Sequence, residues 1–157
     1  MFKGRVDNEE LINLLPFETD NLIIRKTMLS DTQLLLKMDK SENVQMFLGG
    51  IKNTTLSERE KFIQKRIDKF DRGIIGMLTV VLKTTSEAIG FLNFDINESS
   101  NNAELSYIFD FDYWNRGYVL LIENGGSASD AMHIASEFVG SLKIERNAIP
   151  AVVLTFN

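Results

Sequence analysis

The chain contains no cysteine. That excludes a disulfide framework, a thiol nucleophile and any cysteine-ligated metal, and it fits a reducing compartment. Histidine is scarce too: His133 stands alone. A multi-histidine metal site within one chain is therefore excluded. No apolar run approaches the length needed to cross a bilayer, and the start, "MFKGRVDNEE", lacks the apolar core of a signal peptide. The expectation is a cytoplasmic protein with no membrane partner. Positive charge is in short supply: 17 Lys and Arg against 22 Asp and Glu leave a net charge of -5. Whole-surface attraction to nucleic acid is not expected. An anionic ligand would need local backbone amides and one or two cations.

What is present is ordinary for a globular protein. Apolar residues make up 44% and charged residues 25% of 157 residues. That is enough chain for one domain with a real core, and residues 1–157 are read as a single domain.

Periodicity gives the order of elements. "NEELINLL" (8–15) suits a short amphipathic helix before Pro16. Leu22 to Arg25 reads as a strand. Ser30 reads as the N-cap of a helix through "DTQLLLKMDK". "NVQMFLGG" reads as a helical turn closed by Gly49 and Gly50. Ser57 and Glu60 fit a capping box, and Ile63, Ile67 and Phe70 behind them share one helix face. Lys61, Lys65, Arg66 and Lys69 would be its wet side.

The pattern then becomes β-rich. "GMLTVVL" (76–82) and "AIGFLNFDI" (88–96) flank the polar turn "KTTSE", a hairpin signal. "AELSYIF" (103–109) follows as a third strand. After Ser127 and Asp130, the residues Ala131, Ile134, Ala135, Phe138 and Leu142 recur at helical spacing. "AVVLTF" (151–156) closes the pattern as a strand. The plan is a mixed α/β fold. The strand–helix–strand step from 103 to 156 predicts a right-handed parallel crossover.

The order and the residues together resemble the Gcn5-related N-acetyltransferase (GNAT) family, in the branch that acetylates ribosomal-protein N-termini. "FETDNLIIRK" (17–26) is similar to the opening strand of that family, and "EAIGFLNFDI" (87–96) to its third. "NAELSYIFDFDYWNRGY" (102–118) is similar to the fourth strand and the start of the acetyl-CoA loop. "LKIERNAIPAVVLTFN" (142–157) is similar to the fifth strand and the Asn after it. The similarity implies an α/β, mixed-sheet acyl-CoA N-acyltransferase fold. It further implies acetyl-CoA as co-substrate, its pantetheine arm lying along the fourth strand and its pyrophosphate on amides at a helix N-terminus, where donors lack intrahelical partners.

The chemistry implied is acetyl transfer from a thioester to a primary amine, on a protein N-terminus or a small molecule. The amine must first lose a proton to a carboxylate. Glu104 matches the Glu of the family's fourth strand and is the general-base candidate. Tyr107, Ile108 and Phe109 would offer backbone to pantetheine, with side chains in the core. Arg116, Gly117, Tyr118 and Val119 are cofactor candidates, as is Asn157.

Two departures from the family pattern stand out. Val119 occupies a position where Gly or Ala is usual, and "VLLIENGG" reads as an inserted or replaced segment. The sequence also ends at Asn157, so the fold is expected without the family's last helix and two strands. A second reading follows: a catalytically impaired module of the fold, assembling as a homo-oligomer through an exposed last strand. Gly125, Gly126 and Ser127 form a possible anion nest on physical grounds, or a plain turn. His133 with Asp130 and Glu137 fits a solvated helix face. So do Asp31, Asp39 and Glu42, which could otherwise face an amine. Trp114 and the Phe-rich stretch 91–111 read as core or lining.

Overall fold

"MLTVVL" carries apolar side chains on both faces, and in the computed structural model both faces are covered. The structure describes residues 8–46, 48–97, 102–114, 119–124 and 151–156. The strand Met77–Leu82 (β3) is buried at all six positions. It is the middle of a five-stranded antiparallel sheet formed with Phe17–Glu18 (β1), Leu22–Lys26 (β2), Glu87–Asn97 (β4) and Asn102–Phe109 (β5), in the order β1-β2-β3-β4-β5. The three consecutive antiparallel strands expected from the hairpin signal are β3, β4 and β5.

Register is set by burial. Leu22 faces Leu82 and Ile24 faces Val80 across β2 and β3. Leu78 faces Leu92 and Thr79 faces Phe91 across β3 and β4. Leu22, Ile24, Leu78, Val80, Phe91 and Leu92 are all buried. A one-residue slip of β2, whose burial alternates, would carry Leu22 and Ile24 to its less buried face. Between Val80 and Val81 the register shifts, because Val80 faces Gly90 while Val81 faces Ala88. Ile89 is thus an extra residue on β4, a bulge.

The helices are Asn8–Asn13 (α1), Thr32–Lys40 (α2), Glu42–Gln45 (α3) and Leu56–Asp71 (α4). Two start signals move relative to the sequence reading. Helix α4 is capped by Thr55 and Glu58, not Ser57 and Glu60. The Thr55 hydroxyl accepts from the Glu58 amide, and the Glu58 carboxylate accepts from the Thr55 amide. Ser30 is not the cap of α2. A 3-10 turn, Leu29–Asp31, precedes that helix, and Asp31 accepts from the Met28 amide at 2.8 Å. Gly49 and Gly50, at φ of 90° and 98°, close the turn after α3, and the Gly50 amide donates to the Gln45 carbonyl. Helix α4 packs on α2, with Ile63 fully buried and Ile67 and Phe70 half-buried on its inner face.

Two buried carboxylates tie the helices down. Asp39 of α2 takes Arg59 of α4 through two nitrogens, at 2.5 and 2.7 Å, together with the Thr54 hydroxyl. Asp31 takes two nitrogens of Arg25 from β2, at 2.8 and 2.9 Å, and the Thr79 hydroxyl from β3. Neither carboxylate lies on a solvated face, contrary to the sequence expectation. Glu42 does lie exposed. Each buried charge is paired and hydrogen-bonded, as burial demands.

The chain divides into two compact units, Lys3–Phe111 and Asp112–Asn157. The second contains Val119–Asn124 (β6) and Ala151–Phe156 (β7), which pair in parallel from Val119 with Ala151 to Asn124 with Phe156. This corrects the sequence reading once: the strand at 151–156 finds its parallel partner in β6, not in the strand at 103–109. "VLLIEN", read as an inserted or replaced segment, is a strand. The segment 125–150, including the expected helix after Ser127, lies outside the described residues.

Candidate functional site

Among the described residues, β5 pairs with β4 alone. It is therefore an edge strand, and an antiparallel edge presents backbone N–H and C=O groups to whatever lies beside it. Glu104 sits on this strand directly opposite Asp95. The side chains of those two residues are not among those described. Tyr107, Ile108 and Phe109 stand opposite Leu92, Phe91 and Gly90.

The sequence reading placed those three side chains in the core. Tyr107 departs from it, being 67% exposed. The cause is its edge position: its partner Leu92 is buried, but no further described strand covers Tyr107 on the outer side. Ile108 and Phe109 are half-buried. The Tyr107 and Phe109 rings lie 6.1 Å apart with a 52° tilt, a geometry that suits aromatic pairs. Among the described residues the strand thus has a backbone edge without a partner strand, flanked by a mixed polar and aromatic surface.

The end of β5 is anchored by groups that the sequence reading missed. The Asp110 amide donates to the Ile89 carbonyl at 2.9 Å. The Asp110 carboxylate, nearly fully buried, accepts from the Lys37 ammonium of α2. The available sequence signal was Gly90, since an isolated glycine inside a strand often marks a close backbone approach. Trp114 is half-buried, Phe91 and Phe94 are buried, and Phe111 is exposed.

Electrostatics in the first unit centre on Asp31. Burial pushes its carboxyl up, but Arg25, the Met28 amide and the Thr79 hydroxyl together hold it below the ordinary carboxylate value. Asp31 is a structural anion, fixed by three elements. Among the described residues no group of His, Asp and Glu could hold a metal ion, and no helix is long and apolar enough to cross a membrane.

Of the remaining candidates, Val119 is the first residue of β6. Arg116, Gly117, Tyr118 and Asn157 lie outside the described residues, as do Gly125, Gly126, Ser127 and His133.

Comparison with known proteins gives two kinds of match. Among curated proteins, a phosphoheptose isomerase from Clostridium acetobutylicum is 56% identical over 39 residues, 25% of this chain and 20% of the relative. The chain thus spans about a fifth of the length of the curated relatives it matches. Among solved structures, a GNAT-family acetyltransferase from Bacillus anthracis is 19% identical with a TM-score of 0.52, over 64% of this chain and 56% of the other. A protein described as a ribosomal-protein-serine acetyltransferase from Vibrio cholerae is 18% identical with a TM-score of 0.50, over 64% and 57%. A microcin C7 self-immunity acetyltransferase in complex with acetyl-CoA and AMP is 14% identical with a TM-score of 0.50, over 63% and 56%. These likenesses are likenesses of fold. The family itself is fixed by sequence: residues 21–140 match the acetyltransferase (GNAT) domain model, and the chain belongs to that family.

Proposed function

We propose that the chain is an acetyl-CoA-dependent N-acetyltransferase module that acts on a primary amine. Its family membership supports the reaction class. The observation that carries the reading is β5, an edge strand holding Glu104 and, five residues on, Phe109. An extended ligand with amide groups can pair with such an edge as an added strand would. The pantetheine arm of acetyl-CoA has that chemistry. A microcin C7 self-immunity acetyltransferase of similar fold was solved with acetyl-CoA, which supports the choice of co-substrate.

In this reading Glu104 takes a proton from the substrate ammonium, directly or through water. The neutral nitrogen attacks the thioester carbonyl, forming a C–N bond. The C–S bond then breaks, and the thiolate leaves and takes up a proton. A fold neighbour named for a ribosomal-protein serine supports a protein as acceptor. The test is thiol release from acetyl-CoA in the presence of N-terminal peptides and small amines. Amine-dependent release that Glu104→Gln abolishes supports the reading. Full turnover by Glu104→Gln removes Glu104 from the role of base.

A second reading concerns Val119–Asn157 alone. That stretch is 39 residues long, the length of the isomerase match. It opens where the acetyltransferase pattern fails, at Val119. Its terminal strands pair in parallel, as the two strands of a crossover unit do. The acetyltransferase domain model runs on to residue 140, into the same stretch. The 56% identity of the isomerase match is far above the 19% of the fold neighbours, and its length is the ground for placing it on this stretch. We infer that this segment is isomerase-like, and that Gly125, Gly126 and Ser127 after β6 take the phosphate of a phosphosugar. The backbone amides of a Gly-Gly-Ser sequence, little hindered by side chains, suit such an anion. Calorimetry with a heptose phosphate tests it: saturable binding lost in Gly126→Asp supports the reading, and no binding to the wild type removes it.

A further inference from the structure

Gly90 lies inside an 11-residue strand, where glycine weakens pairing and contributes no side chain to packing. Its surroundings show what offsets that weakness. A Cβ at position 90 would lie 2.6 Å from the Ile108 carbonyl oxygen. It would also lie 2.6 Å and 3.0 Å from Cδ1 and Cε1 of Phe109. The ring could turn away. The carbonyl cannot, because it belongs to the backbone of β5. To bring that one contact even to 3.0 Å, the carbonyl would have to retreat by 0.4 Å, from 2.6 to 3.0. Only glycine lets β5 sit this close.

Two further devices act on the same short segment. Ile89, the bulged residue beside Gly90, has no partner on β3, and its carbonyl accepts from the Asp110 amide. Bulges re-aim the chain next to working sites. The Asp110 carboxylate in turn holds Lys37 of α2. Three separate restraints thus fix residues 108–110 of an edge strand. This is the part of the strand whose backbone the acetyltransferase reading brings to the cofactor.

We propose that Gly90 is a positioning residue for acetyl-CoA. By admitting the Ile108 carbonyl and the Phe109 ring, it sets the outer edge of β5 at the depth where its N–H and C=O groups meet the amides of the pantetheine arm. Hydrogen bonds tolerate only a few tenths of an ångström around their optimum. A strand displaced by a Cβ would lose them. The inference rests on the acetyl-CoA reading above.

The experiment measures acetyl-CoA affinity by calorimetry for the wild-type chain, Gly90→Ala and Ile63→Val. Ile63 is buried on α4 and lies on none of the strands β3, β4 and β5. Its truncation lowers stability away from the bulge and the edge strand. Gly90→Ala is expected to weaken acetyl-CoA by about tenfold or more, while Ile63→Val stays within about twofold of the wild type. In turnover, Gly90→Ala raises KM for acetyl-CoA and leaves kcat within about twofold. Wild-type affinity in Gly90→Ala, or equal losses in both variants, overturns the positioning role. Absence of binding by the wild type overturns the acetyl-CoA reading itself, and the role with it. If Gly90→Ala does not fold, amide hydrogen exchange on the wild type decides. Acetyl-CoA must slow exchange at residues 107–109, and unchanged exchange there overturns the proposal.

Discussion

The two units of this chain build sheets by opposite rules. In Lys3–Phe111, five antiparallel strands run in an order where sequence neighbours are spatial neighbours. Register there follows from hairpin turns between sequence neighbours, and polar anchors such as Arg25–Asp31 and Arg59–Asp39 tie helices to strands and to one another. In Asp112–Asn157, two parallel strands pair across a 26-residue connection, 125–150. Parallel pairs need such crossovers, and they need cover on both faces. The contrast shows that local sequence suffices to place an antiparallel meander, while a parallel unit declares itself only through a distant partner. The family pattern follows the first rule and fails near the point where the second begins.

The comparison can be broken at several points. The largest expected effect is catalytic. If the first unit carries the chemistry, Glu104→Gln lowers kcat by about 10²–10⁴-fold, the usual contribution of a general base, in the thiol-release assay. Affinity for a heptose phosphate should stay unchanged.

Next comes Arg59→Met. It strands the buried Asp39 carboxylate, which is 2% exposed on its side chain. The expected loss is about 3–5 kcal/mol, read by urea denaturation. A loss below about 1 kcal/mol would show that the pair is not a buried anchor.

Asp31 gives a pH dependence. Its folded-state carboxyl titrates below the ordinary carboxylate value, so its contribution is fully present above that value. The contribution fades as pH falls through the depressed folded value. Thr79→Val removes one of the groups that lower it and leaves one fewer donor on a buried charge. The loss at neutral pH is about 1–3 kcal/mol. It shrinks below about pH 4, where the unfolded carboxyl is protonated. Stability measured by denaturation at several pH values checks both parts.

Smallest is Thr55→Ala at the start of α4, which removes the acceptor of the Glu58 amide. The expected cost is about 0.5–2 kcal/mol. The effect confirms the cap at Thr55, and Ser57→Ala should cost less.

Much of the first unit was legible in the sequence because its signals are local. β2, the β3–β4 hairpin, β5 and α4 all follow from period and turn residues. The cap of α4 was misplaced by two residues because Thr55–Glu58 and Ser57–Glu60 have the same spacing and chemistry. Only the geometry of the Thr55 hydroxyl separates them. Asp31 and Asp39 were read as solvated because a buried ion pair leaves no periodic trace. Their partners Arg25 and Arg59 lie 6 and 20 residues away. β1 was missed because two residues carry no period. β6 was read only as an inserted or replaced segment, with no strand assigned, because its partner β7 begins 32 residues later, from Val119 to Ala151. Of the candidate site, Glu104 and Tyr107–Phe109 do fall together on one edge strand. Gly90 was overlooked, although a glycine in "AIGFLNFDI" was itself the signal.

The most direct test of the central claim is calorimetric titration of the full chain with acetyl-CoA. The account predicts saturable binding at micromolar to millimolar cofactor, weakened by Gly90→Ala and untouched by Gly126→Asp. No saturable binding by the wild type, or a loss caused by Gly126→Asp and not by Gly90→Ala, would contradict it.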